Sequence, residues 1–204
     1  MKLTYFLIFL CTSISLYAWI NPDLNLAFSL MTLMRGNYYT LVTAIFVHAD
    51  FLHLAGNMVF LYLFGTFLED EIGPLRTGIA FFTGGILTFI ISIPFYPNSN
   101  MVGASAAIFT LMAVVLLVRE ASISGRFLSP IGPLAILFFI FNLVAVNSIQ
   151  SGNVAYISHA IGFITGLFFG ANWNKEWKKS LVFTFLLLVL YVILYHFLVV
   201  IYFD

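Results

Sequence analysis

Charge is what this chain of 204 residues has least of: eight basic and eight acidic side chains make up 8% of it and cancel to a formal net charge of zero. A soluble domain carries roughly 25% charged residues, so the polar surface needed to cover a water-soluble globule is missing. The lysines and arginines are scattered, which excludes the basic patch that nucleic-acid binding requires. A single cysteine, Cys11, lies in an apolar run, so neither a disulfide framework nor a cysteine-based metal site can be built. What fills the chain instead is 62% apolar and 18% aromatic residues with a mean hydropathy of +1.07. The surroundings this implies are a lipid bilayer.

A bilayer-crossing helix needs about 20 mostly apolar residues. Leu3 to Ile20 is one such stretch, and Phe51 to Leu68 a second. Thr77 to Val118 runs 42 residues without a formal charge, interrupted by Pro94, Pro97 and Asn98-Ser99-Asn100, and reads as two spans. Phe127 to Asn174 is a further 48 uncharged residues, interrupted at 147–153, and gives two more; Ser180 to Phe203 is the seventh. The first stretch is read as a helix and not a cleaved signal, because Leu16-Tyr17-Ala18 lacks the small residue three before a cut. With the N-terminus cytoplasmic, the inner segments hold Lys2, Arg76, Arg119, Arg126, Lys175, Lys178 and Lys179, and the outer ones only Arg35. That bias sets the expected orientation.

Polar residues inside spans are costly unless paired or facing a water-filled cavity, so they point to function. Span two carries His53 and Asn57, one helical turn apart, with His48 just ahead of it. Span four opens with Gly103-Ala104-Ser105-Ala106-Ala107, and span six holds Ser158-His159 followed by Gly162, Gly166 and Gly170. All three spans enter from outside. At about 1.5 Å per residue, His53 falls roughly 3 Å, Ser105 roughly 5 Å, and Asn57 and His159 roughly 9 Å below the outer face. The glycine stripe of span six lets a neighbouring backbone come close, and span four offers small residues in return. If those two spans pack there, Ser105 faces His159. A serine hydroxyl becomes a useful nucleophile when a neutral imidazole takes its proton, and no Asp or Glu lies near His159 in its span. The reading is a Ser-His dyad, with His53, Asn57 and the Ser105 backbone N–H as donors to an oxyanion.

The order His48-x4-His53-x3-Asn57-Met58, then Gly103-Ala104-Ser105, then His159-x-x-Gly162-x3-Gly166 resembles the rhomboid intramembrane serine proteases. The resemblance covers about Leu3 to Trp173. It implies an all-α polytopic membrane bundle: a six-helix rhomboid-like core over residues 1–174 and an additional C-terminal transmembrane helix over 175–204. It also implies a serine endopeptidase, with Ser105 as nucleophile and His159 as general base and acid. His53, Asn57, Gly103 and Ser105 then form the oxyanion and substrate-binding set, and His48, Phe109, Gly162 and Gly166 support it. Phe109 matches the aromatic residue that packs on the catalytic imidazole, and Glu69 the acidic residue that closes the second span. The implied substrates are transmembrane segments of other membrane proteins, cut near the outer face after a small residue, with no cofactor.

Four departures stand beside the match. Ala106 follows the nucleophile where Gly is usual; Thr110 stands where Gly is common, which would widen the contact between spans four and six; Tyr39-Thr40 replaces a Trp-Arg pair in the first external loop; and the seventh span is extra. The competing reading is a catalytically silent relative that binds transmembrane helices. A transporter is disfavoured by the lack of charged residues deep in the spans. A metal site on His48, His53 and His159 is disfavoured by the missing His-Glu-x-x-His helix. His48 reads as a loop anchor, His196 as structural, Phe138, Phe139 and Phe141 as packing or lipid-facing residues, and Glu69-Asp70-Glu71 as a solvated helix end. A compact chain of this kind suits a prokaryotic cell membrane. The oligomeric state has no signature.

Overall fold

The computed structural model describes residues 2–118 and 156–174, with Lys178, Val182, Leu186 and Val189 beyond them, and its regular structure among these is helical. Spans five and seven, with Phe138, Phe139, Phe141 and His196, lie outside the described residues. The helices are α1 (Leu3–Ile20), α2 (Leu30–Met34), α3 (Thr40–Phe46), α4 (Phe51–Ile72), α5 (Pro74–Ser92), α6 (Ser105–Val118) and α7 (Tyr156–Trp173). By length and composition α1, α4 and α5 are able to cross a membrane.

The centre of the bundle is α6. Every residue from Ala106 to Leu117 is buried, as expected of a helix that is apolar all round. It packs against α4, α5 and α7. The contact with α7 is backbone on backbone: a Cβ at Gly162 would run into the Ala106 carbonyl, one at Gly166 into the Thr110 carbonyl, and one at Gly170 would come within 2.6 Å of the Leu117 Cβ. Because 162, 166 and 170 meet 106, 110 and 117 in rising order, the two helices run parallel and start at the same end. α5 runs the other way, since its last residue, Ser92, lies 2.7 Å from Ser158 Oγ at the start of α7.

Thr110 does not widen the α6–α7 contact. Its side chain points at α5, where a Cβ on Gly84 would run into the Thr110 hydroxyl. That hydroxyl lies 2.7 Å from the Gly162 carbonyl and 3.0 Å from the Ala106 carbonyl, so it ties α7 to α6. The missing glycine of α6 is replaced by one on α5.

The α1–α4 pair corrects one expectation. Helix α4 continues past Leu68 to Ile72, where Gly73 (φ +83°) and Pro74 at the first position of α5 make the turn. Glu69 is therefore inside a helix and half-buried, and is not a solvated end. Its carboxylate accepts from Leu3 N at 2.8 Å, Thr4 N at 2.7 Å and Thr4 Oγ1 at 2.5 Å. Lys2, at the N-cap position of α1, makes no side-chain cap, so Glu69 satisfies first-turn donors that otherwise have no partner and places a negative charge at the positive end of α1. Lys2 Nζ adds an ion pair to Asp70 at 2.8 Å. Replacing Glu69 with Ala is expected to cost about 1–3 kcal/mol, the penalty of leaving part-buried donors unmet. Thermal unfolding in detergent measures it; an unchanged midpoint would mean that solvent serves those donors equally well.

The segment from Asn21 to Asp50 is folded around α2 and α3. Thr40 Oγ1 donates to the Asn37 carbonyl at 2.7 Å, Thr43 Oγ1 to the Leu26 carbonyl at 3.0 Å and Tyr39 Oη to the Asn25 carbonyl at 3.3 Å. Three hydroxyls thus anchor the segment in which Tyr39-Thr40 stands for Trp-Arg. Phe28, fully buried, pairs with Met101 through two backbone bonds of 3.0 and 2.7 Å and stacks on Phe89.

Candidate active site

Ser105 is the first residue of α6, and the chain reaches it through a strapped segment. Met101 is held by Phe28, the Gly103 N–H donates to the Ala44 carbonyl at 2.8 Å, and the Ala104 N–H points at His48 Nε2 at 3.4 Å. Gly103 has φ +113°, and a Cβ there would lie 2.8 Å from His53 Cε1 and 3.0 Å from its Nε2. Only glycine suits both the backbone conformation and the close imidazole. Ile108 N closes the first helical bond onto the Ala104 carbonyl. The amides of Ser105, Ala106 and Ala107 therefore have no carbonyl ahead of them within α6.

Ser105 Oγ lies 2.9 Å from His159 Nε2. The serine comes from α6 and the histidine from α7, and the two helices come into backbone contact just beyond, where Gly162, three residues after His159, meets Ala106, the residue after Ser105. Phe109, one turn below Ser105, lays its ring on the His159 imidazole at 4.6 Å between centroids and 24° between planes. A flat stack of this kind fixes the ring plane that a carboxylate fixes in a triad; no carboxylate bonded to His159 is found among the described residues.

His53 and Asn57 share one face of α4. The His53 N–H is capped by Asp50 at 2.8 Å, and Asn57 Nδ2 donates to the His53 carbonyl at 2.9 Å. Asn57 is buried, and an amide has two hydrogens, so one remains for a ligand. The His48 and His53 rings meet edge to face at 5.1 Å. His48 is buried, with Nδ1 3.0 Å from Ser15 Oγ on one side and the Ala104 amide on the other. Burial pushes its pKa down to about 3, so the ring is neutral at pH 7. With both nitrogens engaged, it has no lone pair to offer an ion.

The structure brings His48 and His53 against Gly103, Ser105 against His159 and Phe109 onto the imidazole, keeps Asn57 one turn from His53 on α4, and sets Gly162 and Gly166 along the α6 seam. Sequence reasoning named Ser158 but passed over its partner Ser92, and it passed over Ser15 and Trp19; for Ser15 and Ser92 a hydroxyl within an apolar helix was the available signal.

The Rhomboid domain family profile matches residues 35–176. The chain belongs to the rhomboid family. It is similar to Rhomboid-like protein 11, chloroplastic, of Arabidopsis thaliana, with 29% identity over 162 residues, covering 70% of this chain and 58% of that protein. It is 31% identical to Rhomboid-type serine protease 2 of Yarrowia lipolytica over 159 residues, covering 74% of this chain and 51% of the relative. Rhomboid protease GluP of Bacillus subtilis is 34% identical over 142 residues, covering 67% of this chain and 26% of the relative. The chain spans about half the length of the first two. Rhomboid membership and the apolar helices make it an integral membrane protein. The relatives include chloroplast, yeast and bacterial proteins, so they do not support the expectation of a prokaryotic cell membrane.

Proposed function

We propose that this rhomboid is an intramembrane serine endopeptidase that hydrolyses peptide bonds in or beside transmembrane segments of other membrane proteins. The observation that carries the reading is the 2.9 Å contact between Ser105 Oγ and His159 Nε2 at the head of the buried α6 and the parallel α7. In the proposed mechanism Ser105 Oγ bonds to the scissile carbonyl carbon as its proton passes to His159 Nε2. The carbonyl oxygen takes the negative charge. Open amides at the start of α6, the positive end of that helix, together with His53 and the second Asn57 hydrogen, are the donors suited to hold it. When the C–N bond breaks, the leaving nitrogen takes the proton from His159. Water then repeats the sequence on the acyl-enzyme and restores Ser105.

The topology that goes with this reading has seven spans, a cytoplasmic N-terminus, a protease core over residues 1–174 and a further helix over 175–204. It puts the dyad near the outer face. A substrate helix must unwind locally there, because a peptide bond in a regular helix is shielded by its own hydrogen bonds. His53→Ala and Asn57→Ala are each expected to lower kcat about 10²- to 10³-fold with KM little changed, the usual loss for one oxyanion donor. Steady-state cleavage of a transmembrane substrate in liposomes separates the two constants, and a loss confined to KM would reassign these residues to binding.

The deciding experiment is fluorophosphonate labelling of the detergent-solubilised protein, wild type beside Ser105→Ala. Labelling that disappears in the variant supports the activated serine. A folded wild type that does not label would instead favour a helix-binding protein without cleavage, a reading that the name of one similar protein, Inactive RHOMBOID-like protein 8 of Arabidopsis thaliana, keeps in view.

A further inference from the structure

A chain of hydrogen bonds runs from the first helix to the residue before the nucleophile, and its direction is fixed at both ends. Ser15 Oγ, fully buried on α1, lies 3.0 Å from the Phe46 carbonyl and 3.0 Å from His48 Nδ1. A carbonyl only accepts, so the single Ser15 proton goes to Phe46. Toward His48 the hydroxyl then only accepts, which requires the proton on Nδ1. At the far end the Ala104 N–H only donates, which requires a bare Nε2. The two requirements agree on one neutral tautomer. The same helix also holds the His48 backbone, through Trp19 Nε1 to the His48 carbonyl at 2.8 Å.

We propose that Ser15 is a positioning residue for Ser105: by holding His48 with its proton on Nδ1, it keeps the Nε2 lone pair on the Ala104 amide and so orients the first turn of α6, where the nucleophile and the oxyanion donors sit. The alternative tautomer would aim an Nε2–H at the Ala104 N–H, two donors facing each other, and the strap from Ala44 at Gly103 would be the nearest remaining restraint. α1 acts through the imidazole. The proposal rests on the reading of Ser105 as an activated nucleophile.

Ser15→Ala removes the hydroxyl acceptor, leaving the Phe46 carbonyl as the remaining acceptor beside the ring, with the volume almost unchanged. Its rate of fluorophosphonate labelling, per folded molecule, is expected to fall roughly ten- to a hundredfold, the scale of a sub-ångström misplacement of reacting groups. Ser15→Thr, which restores the hydroxyl, is expected to recover most of that rate. Nitrogen-15 spectra of histidine-labelled protein, with His48 assigned through His48→Gln, add a readout that folding alone does not move. The wild type should show the proton on Nδ1, and Ser15→Ala a shift toward Nε2. A wild-type His48 protonated on Nε2, or a Ser15→Ala protein labelled at the wild-type rate, would overturn the proposal. A wild type that fails to label at all would overturn the nucleophile reading, while the tautomer measurement would still decide the Ser15–His48 link.

Discussion

Ser105→Ala and His159→Ala are each expected to abolish cleavage of a transmembrane substrate in liposomes, a loss on the order of a millionfold when nucleophile and base act as one unit. The double variant should be no worse than either single one, because removing the base from an enzyme already lacking its nucleophile removes nothing further. Folding should survive the serine change, which deletes one hydrogen bond worth about 1 kcal/mol. The histidine change also deletes the stack on Phe109, about 0.5–1.5 kcal/mol beyond the area lost. His159→Gln, which fills more of the space, is the better-folded control. Cleavage by any of these proteins near the wild-type rate would assign the chemistry elsewhere, since oxyanion donors and substrate binding by themselves sustain only a small residual rate.

The second large effect is structural, and it grades along one helix. Gly162→Ala drives a methyl into the Ala106 carbonyl, and Gly166→Ala drives one toward the Thr110 carbonyl and Ala113 Cβ; at Gly170 the obstacle is the Leu117 side chain. A carbonyl in a buried helix has nowhere to go, and Leu117 Cβ is also fixed by its backbone, but at 2.6 Å it leaves a smaller overlap than the Ala106 or the Thr110 carbonyl. Destabilisation by Gly162→Ala is therefore expected at the upper end of the roughly 1–3 kcal/mol typical of overpacking or beyond it, with Gly170→Ala the mildest of the three. Gly162 is also one turn from His159, so its variant should lose fluorophosphonate labelling even in the fraction that stays folded. Thermal unfolding of the three variants in one detergent tests the ranking. Equal midpoints at 162 and 170 would mean that the helices separate readily and that backbone contact does not set the dyad distance.

How much of this was legible beforehand depended on the range of the interaction. The Ser105–His159 pairing was readable because small residues after Gly103 and the stripe at 162, 166 and 170 are periodic signals that each helix carries on its own. The role of Glu69 was not readable, because its partners Leu3 and Thr4 lie more than sixty residues away and nothing local distinguishes a carboxylate that caps another helix from one in water. The end of α4 was misjudged for the same reason: three acidic residues look like a boundary, yet Gly73 and Pro74 are what end the helix. Tyr39-Thr40 signalled that the segment between α1 and α4 needed other anchors without saying which, since the bonds to Asn25, Leu26 and Asn37 depend on the loop's folded course. Thr110 pointed the wrong way, because a residue's neighbour across one seam says nothing of the vacancy across another.

Gly84 and Thr110 occupy a single space between them, and this restricts the order in which the two positions can change. A chain with threonine at both would force a hydroxyl and a methyl into the same volume, as the collision of a Gly84 Cβ with the Thr110 side chain shows. A chain with glycine at both would carry only a small void, at a cost of order 1 kcal/mol for each missing methyl-sized group. Exchanging the pair, glycine on α6 and threonine on α5, is thus passable in one direction only: the side chain must be lost from position 110 before another is gained at position 84.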